Sequence, residues 1–311
     1  MKLKNISYIF LFSIITLIFS QCKSDNNKNT DTETDDENII LDETEYFKNI
    51  EPGDLDAINE VIEGFASPVE MAAVIQDSDV PFAKKYLVET KIIDDYETNI
   101  KKALGLGLIS ADMGYLNIYE RTALMVEYLL TIKGLADDLS IGQFFDFQSL
   151  KRLVDSSDNM DSLLFMTTNS FFSMDTYLRE NERSYLSACL ITGVWIEGFY
   201  LITQVAKETD NEDLDDQIGG QKDILAKLIH ILKVFDEHPD FAKLVTSFEE
   251  LQTAFEGVSV TVYKTEPIKK VTENGIVYYP SEYTIVEFDQ ATLDKIIVTA
   301  EKVRTSIVNL N

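Results

Sequence analysis

Between Ala103 and Tyr119 the only charged residue is Asp112, and between Tyr185 and Ala206 the only one is Glu197. Both stretches are long enough for five or so helical turns, and a helix that is apolar on every side has to be enclosed by other helices. These two segments therefore form the centre of a bundle, and each carries one carboxylate into it. Small residues accompany them, Gly107, Ala111 and Gly114 in the first and Ala188, Gly193 and Gly198 in the second, which lets two backbones approach closely. Asp112, Tyr115 and Tyr119 recur as Glu197, Tyr200 and Gln204 at an offset of 85, and spacings of three and seven put each trio on one helix face. A duplicated helical hairpin and a coincidence of packing both account for three matched positions.

The rest of the body reads as helix as well. Ser67-Pro68-Val69-Glu70 is a capping box opening a helix through Ile75. Apolar periodicity then predicts helices over about 96–117, 121–139, 147–154 (with Asp146 as cap), 160–179, 184–207, 212–235, 239–255 and 290–310. In the last of these, Leu293, Ile296, Ile297, Ala300, Val303 and Ile307 form the buried stripe. One region departs from this pattern. Ser259–Tyr263 alternates and is β-branched, Val271 and Ile276–Tyr279 flank an Asn274-Gly275 turn, and Tyr283–Phe288 supplies another strand that Pro280 holds to an edge. The expected class is all-α, a multi-helix antiparallel bundle or short α-superhelix, with a small β-hairpin insert at about 257–288. A single domain over 46–311 buries roughly three quarters of its unfolded surface.

The N-terminus carries an address. Lys2 and Lys4 precede an apolar run from Tyr8 to Ser20, too short for a spanning helix and suited to a signal peptide. The run ends at Ile18-Phe19-Ser20-Gln21-Cys22, which resembles a bacterial lipobox, although Gln21 and Phe19 depart from the small residue and leucine usual there. The resemblance implies a signal peptide over 1–21, a lipidated (palmitate-bearing) Cys22 and membrane attachment through that lipid. An incidental cysteine after an ordinary signal peptide is the alternative. Cleavage would remove two lysines and no acid, taking the net charge from −27 to −29. Residues 22–45 hold Asp31, Glu33, Asp35, Asp36 and Glu37 with no aliphatic residue before Ile39, the composition of a flexible tether. Acids just after the cysteine also resemble the export tract of surface-exposed Bacteroidota lipoproteins, so both the surface and the periplasmic side of the outer membrane stay open.

Three further runs extend this likeness: Lys102–Gly107 through Asp112–Tyr115, Leu135–Gly142, and Thr192-Gly193-Val194-Trp195-Ile196-Glu197. Together they resemble a family of uncharacterised Bacteroidota lipoproteins of flavobacterial type. That resemblance implies a helical fold and an envelope location, and it implies no activity. The helix pairs lack the Trp-Leu-Gly-Tyr signature of tetratricopeptide repeats at any 34-residue period.

Composition narrows the function further. With 27 basic against 54 acidic residues, the chain has no basic surface for nucleic acid. Gly105-Leu106-Gly107 is a near miss for a dinucleotide fingerprint, but helical sequence precedes it where that motif needs a strand. There is no P-loop and no serine nucleophile elbow. Cys189 lies in the most apolar helix and reads as an inert core thiol. His230 reads as a core or groove histidine and His238 as part of a helix junction. The acids at 210–216 fail the EF-hand pattern at the positions of its glycine and terminal glutamate, so they read as an acidic helix start. No catalytic residue, metal site or cofactor is expected. What remains is Asp112 and Glu197, which need partners if buried. Arg121, Lys151, Arg152, Tyr115 and Tyr200 are the candidates for an internal network. A ligand pocket lined by Asp112, Tyr115, Tyr119, Trp195, Glu197 and Tyr200 is the alternative, and a hydrolytic acid–base pair a third. The leading expectation is a non-enzymatic interaction or scaffold module of the cell envelope, whose partners are the membrane and other envelope proteins.

Overall fold

Helix boundaries in the computed structural model, which describes residues 75–155, 170, 173–272 and 275–309, follow the capping chemistry written in the sequence. After a short α1 (Thr90–Ile93), α2 spans Asn99–Ile118, with the Thr98 hydroxyl accepting from Lys101 N at 3.2 Å. The expected start near Tyr96 moves three residues on, because Tyr96 has another task. Its ring covers Gly105, and its hydroxyl donates to Val308 O at 2.9 Å. Helix α2 closes through Glu120 at φ 54°, with Arg121 N donating back to Leu116 O at 2.9 Å. Helix α3 (Thr122–Asp138) closes the same way, with Ser140 at φ 57° and Ile141 N on Ala136 O at 2.9 Å. Both are left-handed C-terminal turns made without glycine.

Asp146 caps α4 (Phe147–Asp155), accepting from Ser149 N at 3.0 Å. Residues 173–180 are helical and precede α5 (Ser184–Ala206). The predicted helix over 212–235 is two helices, α6 (Glu212–Gly220) and α7 (Lys222–Lys233). The break falls directly after Gly219-Gly220, where helix propensity is lowest. Asn211 caps α6 with its side-chain carbonyl on Asp213 N and Leu214 N, so the acids at 212–216 are an ordinary helix start. His238 Nδ1 accepts from Asp240 N at 3.2 Å and Pro239 occupies the first turn of α8 (Pro239–Ala254). The capping box at Ser67 and most of the predicted 160–179 helix lie outside the described residues.

Helix α5 is the centre: 20 of its 23 residues are buried, so a helix apolar enough to cross a membrane is here sheathed by protein. It packs on α2, which packs on α3; its other side meets α7 and the final helix α9 (Gln290–Val308), with α8 against both. Gly107 and Gly193 mark the crossing of α2 and α5. A Cβ on Gly107 would lie 2.6 Å from Val194 N and 2.8 Å from Gly193 Cα, so no side chain fits between the backbones. Gly114, read from sequence as another such contact, has open space around it.

The chain is mostly helical with one antiparallel hairpin near its C-terminus, β1 (Ser259–Thr272) paired with β2 (Gly275–Glu287). The separate strand expected at Tyr283–Phe288 is the continuation of β2 instead. Pro280 does not end it because the register shifts there: Thr265 pairs with Ser281 and Ile268 with Tyr279, leaving two β1 residues opposite Pro280 alone. Thr272 pairs with Gly275, so the intervening residues are 273 and 274, one place earlier than the Asn274-Gly275 reading, and they lie outside the described residues. Val286 and Phe288 hold the root of the ribbon against Gly219 of α6, where any Cβ would meet their side chains.

Candidate functional site

Asp112 comes from the middle of α2 and Glu197 from the middle of α5, and both are fully buried. Glu197 is paired by Arg304 of α9. The guanidinium donates from Nε to Glu197 Oε2 at 2.9 Å and from Nη2 to Glu197 Oε1 at 2.8 Å, a two-point geometry that only arginine offers. Arg304 also donates to Tyr86 O at 3.2 Å and lies 4.5 Å over the Tyr200 ring.

Asp112 has no such partner. Its Oδ2 accepts from Val88 N at 2.8 Å, while Oδ1 is buried and meets no donor from any other described group. Glu197 lies within hydrogen-bonding reach of the same carboxyl. Burial first, then the charge of Glu197, push Asp112 well above the usual carboxylate range, against the pull of Val88 N–H and Arg304. Burial raises Glu197 too, but the adjacent guanidinium opposes it. Burial alone would lower the pKa of Arg304; Glu197 more than offsets that, and the guanidinium stays charged.

Over this cluster runs a strap of residues 78–88, irregular except for a 3-10 turn at Lys84–Tyr86. Buried or half-buried side chains of the bundle grip its main chain from end to end. Tyr119 donates to Val80 O at 2.8 Å, and Ala83 N donates to the Tyr115 hydroxyl at 3.3 Å. Arg304 takes Tyr86 O, Asp112 takes Val88 N, and Tyr128 donates to Val88 O at 2.6 Å. The Phe82 ring sits 5.7 Å from both Tyr115 and Tyr119, and Arg121 lies 4.9 Å over it. Val80, Tyr86, Leu87 and Val88 are buried with it. The space bordered by Asp112, Tyr115 and Tyr119 is thus occupied by the chain itself.

Comparison with family models, with curated proteins and with solved structures finds no match.

Five of the six residues grouped from the sequence, Asp112, Tyr115, Tyr119, Glu197 and Tyr200, belong to this cluster. Trp195 does not join them. Two residues along a helix turn it about 200° away from Glu197, and it stacks on Phe199 at 4.9 Å and donates to Gln221 Oε1 at 3.1 Å, facing α7 and α8. Of the expected partners, Lys151 and Arg152 are exposed on α4 and Arg121 serves Phe82. Arg304 was missed, yet it sits three residues before Ile307 and four after Ala300, inside the apolar stripe of α9, where a lone arginine signals a buried anion. His230 is exposed and not part of the core, because α7 turns Leu228, Ile229, Ile231 and Leu232 inward instead. Cys189 is buried in α5, and Gly105 and Gly107 lie mid-helix as packing positions. Among the described residues no group of three His, Cys, Asp or Glu side chains is placed to hold a metal ion. Cys22 lies outside the described residues.

Proposed function

We propose that this protein is a lipid-anchored, non-enzymatic interaction module of the bacterial outer membrane, with the β ribbon as its contact face. Lipid on Cys22 provides the attachment, and the acidic stretch 22–45 spaces the body from the membrane. The observation that carries the reading is the contrast between core and ribbon. Asp112, Tyr115, Tyr119, Tyr128 and Arg304 are engaged with the chain's own strap, whereas Val262, Tyr263, Tyr283 and Ile285 of the ribbon are exposed. Tyr263 and Tyr283 are cross-strand partners stacked 5.2 Å apart, a rigid aromatic pair of the kind enriched at protein contacts. Pro267, Pro280 and the register shift between them obstruct strand addition along the edges, which favours docking on a face.

The test is a pull-down from chemically crosslinked envelopes. The Tyr263→Ser/Tyr283→Ser variant is expected to lose partners that the wild-type chain captures, with its helical circular dichroism unchanged. An identical set of captured proteins from both would reject the ribbon as the contact face. Labelling with a palmitate analogue tests the anchor separately, with Cys22→Ala as the unlabelled control.

A further inference from the structure

The carboxyl pair and the strap above it form one unit. We propose that Asp112 and Glu197 share a single proton, carried on Asp112 Oδ1, and that this proton is the lock holding strap 78–88 in place. The argument starts from the orphan. As a carboxylate, Asp112 would leave Oδ1 buried with no donor to satisfy it, in a core that already holds Glu197. As a carboxylic acid it meets every constraint: Oδ2 accepts from Val88 N, and the proton on the orphaned Oδ1 has Glu197, within hydrogen-bonding reach of this carboxyl, as its acceptor.

The charges agree. The ionisable groups facing the pair are Tyr115 from α2, Tyr128 from α3, Tyr200 from α5, Arg304 from α9 and Tyr96 ahead of α2, while the Tyr86 hydroxyl of the strap turns to Glu208. Arg304 is the one cation in that set, and it balances Glu197. A second charge on Asp112 would leave one uncompensated anion in the core. The tyrosines offer no relief, since burial raises the pKa of each of them and keeps them neutral. Water is the remaining remedy, and the strap is the layer to open. It is irregular backbone where the other walls are helix, and two of its anchors, Val88 N and Tyr86 O, are held by Asp112 and by the partner of Glu197. Loss of the proton therefore loosens the strap. This holds whatever the ribbon binds.

Lys84 and Lys85 are exposed on the strap, so trypsin reports its opening. The experiment follows cleavage after these two lysines by mass spectrometry in the full chain from about pH 7 to about pH 10. Rates are normalised to the same bonds in the denatured chain, and infrared spectra follow the carbonyl band of a protonated carboxyl. The wild-type chain is expected to show that band at pH 7 and to lose it as the normalised cleavage begins to rise, by up to about tenfold per pH unit for a single proton. Asp112→Asn, whose amide donates to Glu197 at every pH, is expected to lack the band and to show a flat profile. Parallel profiles in both proteins would overturn the proposal. So would a wild-type band that is absent at pH 7, or one that outlasts strap opening, and these two outcomes are read on the wild-type chain even if the variant fails to fold.

Discussion

Gly107 and Gly193 meet backbone to backbone where α2 crosses α5, and the two lone carboxylates of the core sit one turn or so further along these helices. The crossing sets the separation of the helices, and hence whether Asp112 reaches Glu197 at all. Gly107→Ala is therefore expected to destabilise the fold by about 1–3 kcal/mol or more, since backbone cannot move aside as a side chain can. Gly114→Ala is the control. Its added methyl meets nothing within 4 Å, and removing a mid-helix glycine is expected to stabilise by about 0.5–1 kcal/mol. Urea denaturation of the two variants measures the difference. Equal effects would mean that the crossing is not glycine-dependent.

Arg304 and Glu197 are a buried pair whose value lies in being complete. Arg304→Met strands Glu197 and releases Tyr86 O, with an expected cost of about 3–5 kcal/mol. Replacing both, as Arg304→Met with Glu197→Leu, is expected to recover much of that loss, because an apolar pair leaves no unpaired charge. A double variant as unstable as the sum of the single ones would show that the two residues act independently.

Glu120 and Ser140 hold left-handed backbone that L residues adopt at a cost. Glu120→Gly and Ser140→Gly are each expected to raise stability by up to about 1 kcal/mol, seen as a higher Tm by circular dichroism. A fall in Tm for both would mean that their side chains contribute more than the turn conformation costs.

Acid and alkali act on different parts of the bundle. The Tyr86 hydroxyl donates to Glu208 at 2.8 Å and, with Lys85 beside it, holds that carboxyl below its ordinary range. A depressed carboxylate contributes stability above its unfolded pKa and loses it as pH falls through the folded value. Asp112 has the opposite sign. Its raised pKa favours the fold at low pH and weakens it as pH rises. Tyr86→Phe is thus expected to flatten the acid limb of the stability profile, and Asp112→Asn the loss of stability as pH rises above the ordinary carboxylate range, both followed by denaturant titration across pH. A Tyr86→Phe profile parallel to wild type below about pH 5 would remove Glu208 from the account.

Much of the fold was legible because its signals are local. The Asp146 cap lies three residues from the amide it serves, and those at Thr98, His238 and Asp289 are as local, although periodicity alone started α2 at Tyr96. The two apolar helices announce their own burial, since no arrangement leaves such surfaces wet. The break at Gln221 was visible only as a glycine pair. Gly219 has a reason to be there that the local pattern does not contain, namely Val286 and Phe288 of the ribbon pressing on it. At the site, the burial of Asp112 and Glu197 and the company of Tyr115, Tyr119 and Tyr200 could be read from spacing, whereas Trp195 was misassigned because neighbouring residues in a helix point to different neighbours in space.

From the sequence alone came the helical class, the central pair of helices, the ribbon and the fact that each core helix delivers one carboxylate. These follow from periodicity and from the cost of wetting apolar surface, which act over a few turns of chain. Tertiary structure decided what each carboxylate meets. Glu197 is paired by Arg304, 107 residues later, while Asp112 finds Val88 behind it in the chain and no cation of its own. Charge pairing in the core depends on which helices become neighbours, and no local pattern holds that information. The same holds for the strap, whose anchoring side chains come from α2, α3 and α9, and which occupies a space that the sequence could only outline.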